Sequence, residues 1–529
     1  MFEGSSKLQA PTLASQSLIG AWLVGFVLSL LPCFLTDAAA AASAPNIVFI
    51  LADDIGYGDV GCYGATMVKT PHIDRLAREG MRFSDAHSPA STCTPTRRAF
   101  LTGTYSWRQE PGSRIAPGDY PLSITPGTAT VASLMKQAGY KTAVVGKWHL
   151  GLGGEGGPDW NGEIKPGPLE IGFDYAFIMP ATGDRVPCVY VENRRVVGLD
   201  PADPIRVSYK EKVGNEPTGK ENPELLKLKH THGHDMTIVN GVGRIGWMTG
   251  GKSARWVDED MADTYTKKAI GFIERSKDSP FFLYLATHNI HVPRVPNPRF
   301  KNASMAGIRG DAIHELDDCV GKIIAALERL KLLDNTLLIF TSDNGGVWDD
   351  GYEDMGSKDH KMNGALRGTK GTLFEGGHRV PFIARWPGKI KAGSESGALI
   401  AHLDMSATFA AVAGARVPAG ACGDSFNVLP SMLGEKFEQA LRPHFIAHNG
   451  GTQTPVAVRA GSWKLIEPVR GPGAGKNAKG DQKNLPMLQL YNLADDLAES
   501  KNLAGDQPDK VKELQTLLLK LRADGRSRP

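Results

Sequence analysis

From Asn46 to Thr341 the chain alternates short apolar runs, rich in Ile, Val, Leu and Phe, with segments whose apolar residues recur at helical spacing. The pattern predicts strands at Asn46–Ala52, Lys141–Val145, Phe281–Ala286 and Thr336–Thr341, and helices at Pro71–Gly80, Thr130–Ala138, Met261–Arg275 and Ile313–Leu330. Strands that take turns with helices imply a mostly parallel α/β sheet. The Asn46–Ala52 run is apolar almost throughout instead of alternating, as expected of a strand covered on both faces. In open sheets of this kind ligands bind beyond the carboxyl ends of the strands, so the polar residues that follow each strand are the ones to inspect.

Residues 151–252, rich in Gly, Pro and charge, are too long for an ordinary connection and are expected to form substrate-facing loops. After about residue 435 the pattern changes to short strands near His444–His448, Val456–Glu467 and Leu488–Leu493, followed by an amphipathic helix over Pro508–Arg522. The expected organisation is a leader at residues 1–44, a catalytic domain at 45–435 and a small α+β subdomain with an antiparallel sheet at 436–529. The Gly- and Lys-rich segment Gly471–Lys483 reads as a mobile surface loop.

With 529 residues, 41% hydrophobic and 22% charged, the body has the composition of a water-soluble globular protein. Its 60 basic and 57 acidic residues nearly cancel and form no dense basic run, which gives no support to nucleic-acid binding. Leu18 to Leu35 is almost wholly apolar, follows Lys7 and precedes the small residues Ala38 to Ala44, the layout of a secretory signal; an uncleaved anchor is the alternative. Either predicts an exported body, periplasmic or secreted, and after cleavage no stable membrane insertion. Five of the six cysteines follow this leader, an odd number where disulfides form, so one should be unpaired or chemically special. Cys62, Cys188, Cys319 and Cys422 fit no zinc spacing and could be buried thiols, which draws attention to Cys93.

Four strand ends supply polar groups that could meet: Asp53 and Asp54, Lys147 and His149, His288 and His291, Asp343 and Asn344. The Asp-Asp and Asp-Asn pairs offer only hard oxygen donors, which suit calcium or magnesium better than zinc; singly, each could equally serve a turn or a helix cap. Arg97, Lys147, His149, His291 and Lys370, if they converge, would form a cationic set able to offset charge on a transferring sulfuryl or phosphoryl group; singly, each Lys or Arg is more often a solvated surface charge. Residues three apart on a strand face opposite sides, so only one of His288 and His291 should reach the site if the strand extends that far. Cys93-Thr94-Pro95-Thr96-Arg97 opens a predicted helix that runs on to Gly103.

The stretch from Asn46 to Arg97, with Asp53-Asp54, Thr70-Pro71-His72-Ile73-Asp74 and the C-x-P-x-R motif, resembles the type I sulfatases of the alkaline phosphatase superfamily. The likeness continues through Gly146-Lys147-Trp148-His149, Ser342-Asp343-Asn344-Gly345, Gly368-Thr369-Lys370-Gly371-Thr372 and Tyr491-Asn492-Leu493. Thr94 or Thr96 stands where the commonest family form has Ser. The resemblance implies an alkaline-phosphatase-like α/β/α sandwich and oxidation of Cys93 to formylglycine by a separate formylglycine-generating maturation enzyme. It also implies one calcium ion, in preference to magnesium, held by Asp53, Asp54, Asp343, Asn344 and the oxygen at position 93. Arg97 and His149 would hold the formylglycine, whose hydrate attacks sulfur; Lys147, His291 and Lys370 would bind sulfate, with His291 or Lys370 protonating the leaving oxygen.

Specificity should lie outside these motifs, with Asp184 and Arg185 as substrate-binding candidates and His230, His232, His234 and His360 beside them. A polar rim of this kind suits a sulfated carbohydrate, such as 6-O-sulfated galactose or N-acetylgalactosamine. The rivals are a formylglycine-dependent phosphonate or phosphate ester hydrolase and a catalytically silent glycan-binding protein.

Overall fold

The computed structural model describes residues 44–108, 115–450, 455–468 and 488–528. Residues 1–43 of the expected leader and the Gly471–Lys483 segment lie outside the described residues. No described helix is long and apolar enough to cross a membrane.

A ten-stranded sheet runs through the centre. From one edge its order is Ser394–Ser396, Met81–Phe83, Phe382–Arg385, Thr336–Ser342, Asn46–Ala52, Phe281–Ala286, Lys141–Lys147, Tyr175–Met179, Val191–Glu192 and Arg195–Val196. The five from Thr336–Ser342 to Tyr175–Met179 are mutually parallel, with Phe281–Ala286 in the middle and Asn46–Ala52 between it and Thr336–Ser342; Phe382–Arg385 and Val191–Glu192 pair antiparallel beyond them.

Alternation along the Asn46 strand sorts its side chains between two layers. Ile47, Phe49 and Leu51 pack with Phe100 of the Cys93–Thr102 helix and with Met405 and Phe409 of the Met405–Val412 helix. Phe49 stacks on Phe100 at 4.3 Å between ring centroids. Val48, Ile50 and Ala52 face helices Pro71–Glu79, Met261–Ser276 and Gly307–Arg329 through Leu76, Phe272 and Leu316. The result is the expected α/β/α sandwich with its sheet buried on both faces.

Two expectations need correction. The helix expected to start at Ile313 begins at Gly307, because the buried polar residues Arg309 and Asp311 hide its apolar period. Asp311 accepts from the backbone amides of Asn302 and Ser304, both at 2.9 Å, and Arg309 pairs with Asp59. Within the stretch assigned to loops, Tyr175–Met179 is the fifth parallel strand, too short to show a period.

Strands His444–His448, Val456–Ala460, Trp463–Ile466 and Gln489–Asn492 form an antiparallel sheet covered by helix Pro508–Ala523, whose Leu514 and Leu518 pack on Phe445, Val458 and Leu465. The first of these strands runs against the segment before Cys93, and the Ser91 amide donates to the His448 carbonyl at 2.8 Å.

Candidate active site

Polar residues from all four strand ends converge on one buried cluster. Asp53 and Asp54 follow Ala52, and Asp343 and Asn344 follow Ser342, which is in register with Ala52 on the neighbouring strand. Carboxylate oxygens of Asp53, Asp54 and Asp343 lie within 4.8 Å of one another, fully buried. Asn344 donates to Asp54 at 2.7 Å. The Oδ1 atoms of Asp53 and of Asn344 are buried without a hydrogen-bond partner, a costly arrangement unless a cation takes them up. Burial, with Asp343 close by, pushes the Asp53 carboxyl up to about 8 against the opposing pull of Lys147 and Arg97. An all-oxygen set with orphaned acceptors fits a hard divalent cation.

Lys147, last residue of its strand, donates to Asp53 Oδ2 at 2.6 Å. Gly146 before it has φ +111°, and a Cβ there would stand 1.9 Å from the Ala286 carbonyl oxygen, so only glycine lets the strand approach this closely. Arg97, fully buried on the Cys93 helix, donates to Asp343 Oδ2 from Nη2 at 2.7 Å and to the Lys147 carbonyl at 3.2 Å. Asp54 and His149 both have left-handed backbones, φ 61° and 55°, each costing about 1–3 kcal/mol and typical of sites where surrounding structure fixes a functional geometry.

Cys93 heads its helix, only 2% exposed, and lines a cleft of about 600 Å³ beside this cluster. Burial pushes its thiol up, with Lys147 and Lys370 pulling the other way. His149 Nε2 lies 2.9 Å from the Ala116 carbonyl and must donate to it, leaving the buried Nδ1 without a partner and able to accept. Burial, then Lys147, hold this ring well below the ordinary imidazole range, so it is neutral. His291 Nδ1 donates to the Val292 carbonyl at 2.8 Å and turns Nε2 toward Asp54 at 4.0 Å. Lys370 donates to Asp54 and to Asp350, both at 2.9 Å.

The condition set for the histidine pair fails. The strand ends at Ala286, and in the turn that follows both rings approach Asp53, 5.9 Å apart between centroids.

Asp184 and Arg185 follow the end of the Tyr175–Met179 strand, which is how they reach the cleft. Asp184 is 2.9 Å from Arg185 and 3.0 Å from His234 Nε2 and accepts from the Thr182 hydroxyl. Burial would raise its carboxyl, but Arg185 and the His234 hydrogen bond outweigh that and hold it well below the usual range. His232 and His234 line the cleft; His230, which bridges to Tyr352 through its backbone, does not. His360 is buried in the scaffold, 2.6 Å from Asp59. Asp350, Asn449 and Gly450 also line the cleft and escaped the sequence reading. Asp350 lies in the loop opened by Asp343, a position that could have drawn attention, whereas Asn449 comes from the C-terminal sheet and no local signal places it here. Cys62, Cys93, Cys188, Cys319 and Cys422 are all unpaired.

The sulfatase family profile matches residues 45–415, and that of the N-sulphoglucosamine sulphohydrolase C-terminal region matches residues 369–524. The N-acetylgalactosamine-6-O-sulfatase of Bacteroides thetaiotaomicron is 50% identical over 485 residues, 91% of this chain and 94% of the relative. Arylsulfatase A of Homo sapiens is 32% identical over 515 residues, 93% of this chain and 90% of its own. A solved structure from work on the metabolism of multiple glycosaminoglycans by Bacteroides thetaiotaomicron superposes with a TM-score of 0.88 at 50% identity, covering 91% of this chain and all, 100%, of the other. Matched by the family profile over most of its length, and half identical to a sulfatase it covers almost end to end, the chain belongs to the type I sulfatases, enzymes that hydrolyse sulfate esters.

Proposed function

We propose that the protein is an exported sulfatase that removes a 6-O-sulfate from galactose or N-acetylgalactosamine in a sulfated glycan, using a formylglycine made from Cys93 and one calcium ion. The observation that carries the reading is the meeting, at one cleft floor, of Cys93, an all-oxygen cation pocket and a ring of cations. The 50%-identical N-acetylgalactosamine-6-O-sulfatase supports the choice of sugar.

In this reading Asp53, Asp54, Asp343 and Asn344 would hold the cation, with the oxygen of a formylglycine at position 93 as a further donor. When present, calcium supplies a Lewis acid and template, and formylglycine a hydrated aldehyde as nucleophile. The chain does the rest. Arg97 neutralises Asp343 and fixes the floor, while His149 Nδ1, on a neutral ring and buried without a partner, would be free to accept from the group at position 93. Lys147, Lys370 and His291 face the sulfate oxygens and offset their growing charge. Between the two candidates for the acid, Lys370 is clamped by two carboxylates, whereas His291 turns Nε2 to the cleft. Burial, then Lys370 and Lys147, hold the free His291 ring well below the ordinary imidazole range, so in this reading it takes up a proton only once the incoming anion offsets those cations, and gives that proton to the leaving oxygen. Asp184 and Arg185, braced by His234, present fixed polar groups to sugar hydroxyls.

The test is inorganic sulfate release from monosulfated sugars by protein co-expressed with a formylglycine-generating enzyme. The expected result is turnover of a 6-O-sulfated galacto-configured sugar well above its 4-O isomer and above aryl phosphate. Preference for aryl phosphate, or for the 4-O isomer, would sink the assignment.

A further inference from the structure

Lys370 has two carboxylate partners, and they differ in kind. Asp54 Oδ2, 2.9 Å away, belongs to the candidate cation pocket. Asp350 Oδ2, also 2.9 Å away, lies outside that set and lines the cleft. Asp54, His291 and Asp350 place ligand atoms within 4.8 Å of one another, an arrangement that could suit a second metal. The Lys370 ammonium instead bridges Asp54 and Asp350, as a cation supplied by the chain itself.

The loop that carries Asp350 is pinned on every side. Thr231 donates its amide to the Gly351 carbonyl at 2.9 Å and its hydroxyl to Asp349 at 2.9 Å. The buried Tyr352 hydroxyl donates to the Gly243 carbonyl at 2.7 Å. Arg294 and Asp354 pair at 3.0 Å, both fully buried. A carboxylate on so fixed a loop has little freedom to follow a ligand, and its position is set before anything binds. Lysine is a flexible point charge that must be held if it is to act at one place.

We infer that Asp350 is a positioning residue, which tethers the Lys370 ammonium at the cleft so that it meets the sulfate group independently of the sugar that carries it. The inference rests on the proposed sulfate-binding role of Lys370. It separates Asp350 from Asp184 and Arg185, whose effects should depend on the sugar.

The test compares Asp350→Asn and Asp350→Glu with the parent in the matured, calcium-loaded enzyme, on an aryl sulfate and on a 6-O-sulfated sugar, together with inhibition by free sulfate. The expected result is a loss in kcat/KM of about ten- to a hundredfold for Asp350→Asn, by the same factor on both substrates. Inhibition by free sulfate should weaken in parallel, and Asp350→Glu should restore part of each. A loss confined to the sugar would make Asp350 a direct sugar contact and overturn the tether, as would unchanged inhibition by sulfate. Lys370→Met separates the two levels. If it leaves sulfate inhibition intact, the role of Lys370 itself fails; if it abolishes inhibition while Asp350→Asn does not, only the tether fails.

Discussion

At the scale of single residues, the buried floor of the cleft is held by opposed charges that balance only as a set. Arg97 and Lys147 answer Asp53 and Asp343, yet the Oδ1 atoms of Asp53 and Asn344 stay without partners. A cation that binds the folded protein alone stabilises it by mass action, about 2.7 kcal/mol at a hundredfold excess over its dissociation constant. Calcium should therefore raise the melting temperature, and Asp54→Asn, which removes a ligand charge, should lose most of that rise. Because His288 and His291 also border Asp53, zinc is the informative competitor. A larger shift with zinc than with calcium would contradict the oxygen-donor reading.

At the scale of elements, Glu315 on the Gly307–Arg329 helix ties down the turn that bears both histidines. Its oxygens accept from Asn289 Nδ2 at 2.8 Å and from the Asn297 amide at 2.9 Å. Burial pushes its carboxyl from 4.5 up to about 7, against those two hydrogen bonds. The folded state thus keeps a proton that the unfolded chain releases. The group costs nothing below about pH 4; its cost grows from there to about pH 7 and then levels off, with a ceiling on the order of 3 kcal/mol. Urea melts of Glu315→Gln should lack the part of the parent's loss of stability that falls between about pH 5 and pH 7, and parallel pH curves would contradict this. Elements with long apolar runs were legible in the sequence, since Asn46–Ala52 and Phe281–Ala286 appear with the expected bounds. So was the convergence of Asp53, Asp54, Asp343 and Asn344, because these four residues sit directly after such strands. The start of the Gly307 helix was not legible, because Arg309 and Asp311 are satisfied by partners distant in sequence or in a loop. Asn449 and Asp350 were not legible either, since their place at the cleft depends on how separate loops close over it.

At the scale of the whole molecule, the C-terminal sheet is bolted to the region that bears Cys93. Lys464, almost fully buried on this sheet, lies 2.9 Å from Glu375 and 2.8 Å from Glu499. Arg459 of the same sheet meets Asp85 with two contacts of 2.7 Å. Removing one partner from a buried ionic cluster leaves uncompensated charge, at a cost of about 3–5 kcal/mol. Lys464→Met should therefore lower the melting temperature of the whole protein in one transition; a separate early transition would mean that the sheet unfolds alone. The Ser91–His448 link places the start of the Cys93 helix under the same control, so catalysis and the C-terminal sheet should fail together. The central claim is that sulfate esters are cleaved at position 93, and the most direct measurement pairs the mass of the peptide containing residue 93 with inorganic sulfate release from the same preparation. The account predicts that release rises in proportion to the aldehyde fraction and vanishes in a folded Cys93→Ala variant; release that persists in that variant, or ignores the aldehyde fraction, would contradict it.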